Sequence, residues 1–548
     1  MVDAEISVPA PVDPSDGKRE RYRPVRTTWL STDGGGRRSG GLLDSLTVLP
    51  ATTRAASRRF REAPAYFAPD GWAISYTDLD RVSDEVAAGL SARGLRAGDV
   101  VALVLPPGPE YLFAYLAAAK LGVVTAGVNH RLTAAERERV LERAAPRLVL
   151  TADGTAPGAH DAIDVGRAGS LHQVLEPLRV PGEAPPVRIP DPEEPVAIIF
   201  TSGTTGIPKG AEYRHRQIEF ITRTDVGDRW GGGARTFTGT SFAHLGFMTK
   251  LEGNLRRGGT TFITERWTAG EALRLTAEHR MTSIAGVPAQ IALMLRQPDF
   301  DAHDLSSVRF VTVGGGPVTP GLADEARARF GAALATRYSC TEAGIGLGTG
   351  FDDPPQDAVV SVGRPHDAVD LAILDDADHP VAPGEVGAIC LRSPAVMARY
   401  WRDPEATAAA FTADGHVRTG DLGQLDDHGR LRLVGRSTEM SVRGGYNVYP
   451  VEVEAALSTH PSVGAIAVGC RTDPVMGEVG VAVVVSRDPR NPPTLDELRQ
   501  HVSGSLATYK LPEVLRIVDA LPFTATDKLD RRALGPLIAD EEPDADVS

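Results

Sequence analysis

Thr201-Ser-Gly-Thr-Thr-Gly-Ile-Pro-Lys-Gly210 follows the apolar run Pro195-Val-Ala-Ile-Ile-Phe200, and together they read as a strand running into an anion-gripping loop. Glycines reach backbone conformations closed to other residues and let main-chain N–H groups approach an anion closely. Thr204, Thr205 and Lys209 add hydroxyl donors and a cation, so the loop suits a triphosphate. A P-loop needs four residues between its first glycine and Gly-Lys-Ser/Thr. Here Gly203 and Gly206 are followed by Ile-Pro-Lys-Gly, which excludes the kinase and GTPase pattern.

Outward from this loop, helical patterns at Leu79 to Leu90 and Tyr111 to Leu121 alternate with short apolar strands such as Val100-Val-Ala-Leu-Val-Leu105. Such alternation predicts an α/β fold with a largely parallel sheet arrangement. Residues 1–41 are rich in Pro, Asp, Arg and Gly and hold too few large apolar residues for a core, which predicts a loose extension. A second boundary is expected near Gly435. Beyond it, the strands Ala465–Gly469 and Gly480–Val485 and a helix from Leu495 to Leu506 predict a small α+β domain, and the acidic tail after 538 reads as solvated.

The 548 residues exceed one ordinary core, and 42% hydrophobic content is that of a globular protein. A net charge of −14 argues against a broad nucleic-acid surface, so a polyanionic ligand must be held by local donors. Cys340, Cys390 and Cys470 show neither metal spacing nor pairing, as in a reducing compartment, and Cys340 reads as filler rather than nucleophile. The start lacks the pattern of a secretory signal and no apolar run reaches the ~18 residues of a membrane span, so a cytoplasmic location is expected.

Further motifs follow the loop in order: Phe242-Ala-His244, Val313-Gly-Gly-Gly-Pro317, Tyr338-Ser-Cys-Thr-Glu342, Thr419-Gly-Asp421, Gly435-Arg436, Arg443-Gly-Gly-Tyr-Asn-Val-Tyr-Pro450 and Thr524-Ala-Thr-Asp-Lys528. With Ile74-Ser-Tyr-Thr-Asp-Leu79 near the start, this series resembles the adenylate-forming superfamily of acyl-CoA synthetases, adenylation domains and luciferases from about residue 45 to 538, closest to acyl-CoA ligases. The resemblance implies a large N-terminal domain of packed α/β subdomains over 42–434 and a small mobile α+β lid over 435–538, with a hinge near 436–438. It implies ATP, Mg2+ and coenzyme A as cofactors, and a carboxylic acid that is first converted to an acyl-adenylate and then to a thioester.

By the same resemblance Ser202, Gly203, Thr204, Thr205 and Lys209 cradle the phosphates, Thr341 meets the α-phosphate and Glu342 holds Mg2+. Gly315, Gly316, Pro317 and Tyr338 form the adenine slot, Asp421 and Arg436 hold the ribose, and His244 flanks the acyl carboxylate. Lys528 bridges carboxylate and phosphates, while Gly444, Gly445 and Asn447 line the thiol's approach. The mostly apolar segment Val287 to Leu295 points to a hydrophobic acid.

Departures cluster on the adenylation side. The usual Pro-Arg-Thr-x-x-Gly-Lys is here Pro522-Phe-Thr-Ala-Thr-Asp-Lys528, and Thr438 stands where the hinge usually carries Asp or Lys. Asp527 beside Lys528 predicts impaired adenylation, either by repelling phosphate or by turning the lysine away, with a partner ligase supplying the adenylate. Two alternatives to a CoA ligase stand beside this reading. One is an adenylating ligase that loads a carrier-protein thiol; the other is a ligand-binding module without catalysis, against which Lys528, Glu342, Asp421 and Thr204/Thr205 argue.

Overall fold

The computed structural model describes residues 48–152, 161–201, 208–238, 240–264, 266–316, 318–436, 439–443, 446–524 and 528–539, all within one compact unit that begins at Leu46. The expected N-terminal extension and acidic tail lie outside these residues.

Strand Pro195–Thr201 pairs antiparallel with Lys209–Arg214, Thr201 opposite Lys209, so the anion-gripping stretch joins two paired strands. On its other side it continues into parallel neighbours: Val124–Gly127, Val100–Val104, Leu148–Thr151 and Ala162–Asp164, within a seven-stranded sheet. Helix Pro109–Leu121 lies buried at every residue, and its charged residues are paired, Lys120 with Asp80 and Asp84 and Glu110 with the Ala168 N–H. Its ends are written in the sequence: Pro109 opens it, and Gly122 closes it in the left-handed conformation with φ 76°. Beside it packs helix Tyr76–Ala92, which begins in a reciprocal cap between Ser75 and Asp78. The Ile74-Ser-Tyr-Thr-Asp-Leu79 motif is thus a helix start.

A second sheet sets Ser283–Gly286, Phe310–Gly314 and Ala333–Tyr338 in parallel, Val313 opposite Thr336. Its strand ends deliver Gly315, Gly316 and Tyr338 to one edge. The expectation of a largely parallel arrangement fails beyond this point. Asp370–Leu374, Gly387–Arg392, Val417–Leu425 and Leu431–Arg436 form an antiparallel sheet, because the chain between Leu425 and Leu431 turns back at once through Asp426-Asp-His-Gly429. Phe242 lies in a turn, beyond a strand that ends at Phe237.

After Arg436 the chain forms the expected small α+β array. Val463–Asp473 and Gly477–Ser486 pair antiparallel, and Val514–Ile517 adds in parallel. Helices Pro450–Leu457 and Leu495–Val502 bury Val453, Leu457, Leu498 and Val502 against this sheet. Leu534 and Ile538 belong to a separate apolar cluster with Ala467, Val481 and Val483. Both strands run longer than expected. The helix stops at Val502 rather than Leu506, since Ser503-Gly-Ser505 favours turn over helix. Among the described residues no helix is long and apolar enough to cross a membrane.

Candidate active site

Strand pairing creates the first half of the site. Asp421 stands opposite Arg436 on neighbouring antiparallel strands, and its Oδ1 meets Arg436 Nε at 3.0 Å. Its Oδ2 accepts the Tyr338 hydroxyl at 2.8 Å, and burial, reinforced by this carboxylate, pushes the Tyr338 phenol far above its ordinary pKa. The second sheet's edge contributes Gly315, with φ +80°, a conformation that L side chains rarely adopt. A Cβ there would stand 3.3 Å from the Val287 side chain and 3.5 Å from Lys528 Cε. The glycine therefore leaves this crowded edge open to the end of the lysine side chain.

The second half gathers around Tyr400, which strand pairing sets opposite Ala211. The Tyr400 hydroxyl donates to Glu342 Oε1 at 2.7 Å, and the Lys209 ammonium lies 5.3 Å over the same ring. The turn carrying Thr341 and Glu342 is pinned through its main chain, where Thr341 O accepts from the buried Tyr213 hydroxyl at 2.6 Å and Glu342 O from Met397 N at 2.9 Å. The Cys340 thiol is pushed well above its usual pKa by burial and by Glu342, which makes it a poor nucleophile, as expected. No group of three or more His, Cys, Asp or Glu able to hold a metal occurs among the described residues. A lone carboxylate in Glu342 nonetheless fits Mg2+, whose shell is completed by phosphate oxygens and water.

His244 precedes the short helix Leu245–Met248, and its Nε2 lies 3.2 Å from Asn129 Nδ2. Burial, and then the Lys528 cation, lower the imidazole to about 4, so it is neutral at pH 7. Lys528 closes its own loop: its carbonyl accepts from Thr524 N at 2.7 Å and its N–H donates to Thr524 Oγ1 at 3.2 Å. The residue is exposed as a whole, but its terminal carbon is packed toward Gly315. Burial of that end and the Arg436 charge lower its pKa, opposed by Asp421, Cys340 and Glu342. The end of the Lys528 side chain thus lies toward Gly315 and the charges of Arg436, Asp421 and Glu342.

Lys209, His244, Gly315, Gly316, Tyr338, Thr341, Glu342, Asp421, Arg436 and Lys528 are all described. Ser202, Gly203, Thr204, Thr205, Pro317, Thr438, Gly444, Gly445 and Asp527 lie outside the described residues, and of Asn447 only the backbone is described. Asn129, Tyr213 and Tyr400 were not singled out from the sequence. Tyr213 and Tyr400 are placed by strand pairing, Asn129 follows the end of strand Val124–Gly127, and none sits in a motif of its own.

With this geometry in hand, the chain matches the model of AMP-binding enzymes over residues 53–401 and that of the AMP-binding enzyme C-terminal domain over residues 452–528. It is 30% identical to a fatty acid–[acyl-carrier-protein] ligase of Streptomyces coeruleorubidus over 503 residues, covering 89% of this chain and 96% of that protein. It is 33% identical to a feruloyl-CoA synthase of Amycolatopsis over 473 residues, 84% of this chain and 93% of that one. Among solved structures, ATP-bound MatB from Rhodopseudomonas palustris superposes with a TM-score of 0.80 at 26% identity, covering 90% and 98% of the two chains.

Proposed function

Because this chain belongs to the family of AMP-binding enzymes and is an acid–thiol ligase of the acyl-CoA synthetase type, we propose that it joins a hydrophobic carboxylic acid to coenzyme A through an acyl-adenylate. A carboxylate is a poor acylating agent because its leaving group would be oxide. Attack of its oxygen on the ATP α-phosphorus expels pyrophosphate and gives a mixed anhydride, from which a thiol displaces AMP. The first step is largely positioning and charge stabilisation.

Each group has a part in that step. Asp421 and Arg436 hold the ribose, with Tyr338 orienting the carboxylate of Asp421 while Gly315, Gly316 and Pro317 border the adenine. Lys528 bridges the acyl carboxylate and the α-phosphate, Thr341 donates to the latter, and Lys209 with Ser202, Gly203, Thr204 and Thr205 neutralises the phosphates that leave. His244, neutral, flanks the acid without pairing with its charge. A bound Mg2+ would draw electron density from the phosphate oxygens, and Glu342, oriented by Tyr400, is the residue that would hold it. Residues 435–538 act as a lid hinged near 436–438, whose second face, with Gly444, Gly445 and Asn447, admits the thiol.

The convergence of Lys528 on Gly315, within the field of Asp421, Arg436 and Glu342, carries this reading. Pyrophosphate release that requires both acid and ATP, followed by thioester formation with CoA, tests it; a panel of fatty and aryl acids showing neither would overturn it. A carrier-protein thiol is the second acceptor, supported by the fatty acid–acyl-carrier-protein ligase relative, and offering CoA and a holo-carrier side by side separates the two. Adenylation slowed by Asp527 is a finer reading. A carboxylate about 4 Å from a phosphate costs about 1–4 kcal/mol, or about one to three decades in rate. In that case a synthetic adenylate plus CoA outpaces acid plus ATP, and Asp527→Gly restores the first step.

A further inference from the structure

A cavity of about 310 Å³ opens between the lysine loop and the N-terminal region, walled by Arg131, Arg266, Trp267, Gln290, Leu293 and Phe523. Two of its walls are large apolar side chains left exposed, Leu293 and Phe523, each 43% accessible. Phe523 occupies the position where the family pattern carries a basic residue, so this lining belongs to this chain.

The cavity wall adjoins the residues proposed to flank the acyl carboxylate in two places. A Cβ on Gly315 would meet both Lys528 Cε and the side chain of Val287, whose N–H donates to Gln290 Oε1 at 3.1 Å; Gln290 is buried and forms the cavity wall. His244 meets Asn129, whose Oδ1 accepts from Arg131 N at 3.0 Å on another wall. Phe523 itself brackets the same loop as Lys528, since it bridges to Leu529 and its successor Thr524 bonds to Lys528. Whatever sets Lys528 in the site also sets Phe523 in the cavity.

We propose that this cavity receives the aryl end of an extended acid whose carboxylate lies at Lys528, so that the lid reads the acyl tail while adenylation proceeds. The proposal rests on the adenylation reading above. Trp267 and Phe523 offer ring faces, Leu293 an aliphatic one, and the guanidinium groups of Arg131 and Arg266 stack on aromatic rings as readily as they pair with charge. When the lid turns for thioester formation, Phe523 leaves with it. Tail selection is therefore confined to the first half-reaction.

Full-length parent, Phe523→Ala and Trp267→Ala are compared on benzoate and on a phenylalkanoate with a long spacer, in pyrophosphate release and in thioester formation from the two preformed adenylates. The ratio of kcat/KM for the long acid over the short one is expected to fall about tenfold in pyrophosphate release, the scale of losing one apolar contact. The same ratio in thioester formation is expected to match the parent's. Equal losses for both acids, or no loss, overturn the proposal. Calorimetric binding of the matching acyl-sulfamoyl adenosines needs no turnover, so it decides the tail site even if the ligase reading fails: the long analogue must lose affinity in Phe523→Ala and the short one must not. Phe523→Arg, an exchange at a half-open surface, repeats the test should Trp267→Ala not fold.

Discussion

At Asp421 both carboxylate oxygens are engaged, one by Arg436 and the other by the Tyr338 hydroxyl, which fixes the plane in which both present their remaining lone pairs to the proposed nucleotide. Asp421→Ala is expected to cut ATP-dependent turnover by about two orders of magnitude or more, the scale of losing one charge-stabilising group; near-native pyrophosphate release would remove Asp421 from the nucleotide site. Glu342→Ala is expected to fall as far. Tyr400→Phe keeps the ring under Lys209 but deletes the donor to Glu342, so a loss of about tenfold follows from one hydrogen bond to a charged group. If Tyr400 acts by orienting Glu342, that variant also needs more Mg2+ for half-maximal rate, and an unshifted Mg2+ dependence would reduce it to packing. Asp421, Glu342 and Lys528 could be proposed from the sequence because each stands in a run that resembles the family's motifs, and the structure sets the first two within the electrostatic reach of the third. Tyr400 could not, since Ala398-Arg-Tyr-Trp401 has no local signature and its role arises only when strand Arg399–Tyr400 pairs with Lys209–Arg214.

At the level of elements, the legible features were those set by neighbours in sequence. Helix Pro109–Leu121 carries its own start and stop, and Ser75 with Asp78 writes the cap of helix Tyr76–Ala92 before it. Strand direction was not legible between 364 and 436, because alternating apolar residues fit either a parallel or an antiparallel partner. Nor was the burial of a carboxyl inside a helix: Leu251–Arg257 holds Glu252 wholly enclosed, with one oxygen taking the Thr52 hydroxyl at 3.1 Å and the other without a hydrogen-bond partner among the described residues. Burial raises this carboxyl to about 8, helped by Glu219 and opposed by Thr52 and the Arg256 charge, while Tyr115 feels the same group. A carboxyl whose folded pKa lies above its unfolded value holds its proton in the folded state, so stability falls as pH rises from about 4.5 to about 8 and is level above. Glu252→Gln supplies a neutral isostere. The melting temperature of the variant is expected to match the parent near pH 4 and exceed it increasingly toward pH 8; a constant gap across that range would mean Glu252 is ionised in the folded protein.

At the scale of the whole molecule, the orientation that sets Lys528 in the site is held by contacts the proposed second orientation must break. Arg487, just past strand Gly477–Ser486, pairs with Glu325 on helix Pro320–Phe330 at 3.2 Å. Arg296 lies within reach of the same seam, where a Cβ on Gly464 would stand 3.2 Å from its guanidinium; burial and Arg487 lower its pKa while Glu325 opposes them. Glu325 thus pairs with Arg487 and its charge also acts on Arg296. Its side chain is 28% exposed and that of Arg487 48%, so the pair is worth only about 0.2–1 kcal/mol. That is enough to move a near-balanced lid by about 1.4- to fivefold. Glu325→Gln is therefore expected to slow pyrophosphate release by about that factor without slowing thioester formation from a synthetic adenylate, and Glu325→Arg to enlarge the effect by setting a third cation beside the two. Because exposed charges are screened over about 10 Å at 0.1 M salt, the difference between parent and variants should shrink as salt is added. Equal slowing of both half-reactions, unchanged by salt, would show that Glu325 supports its helix and not the choice between lid orientations.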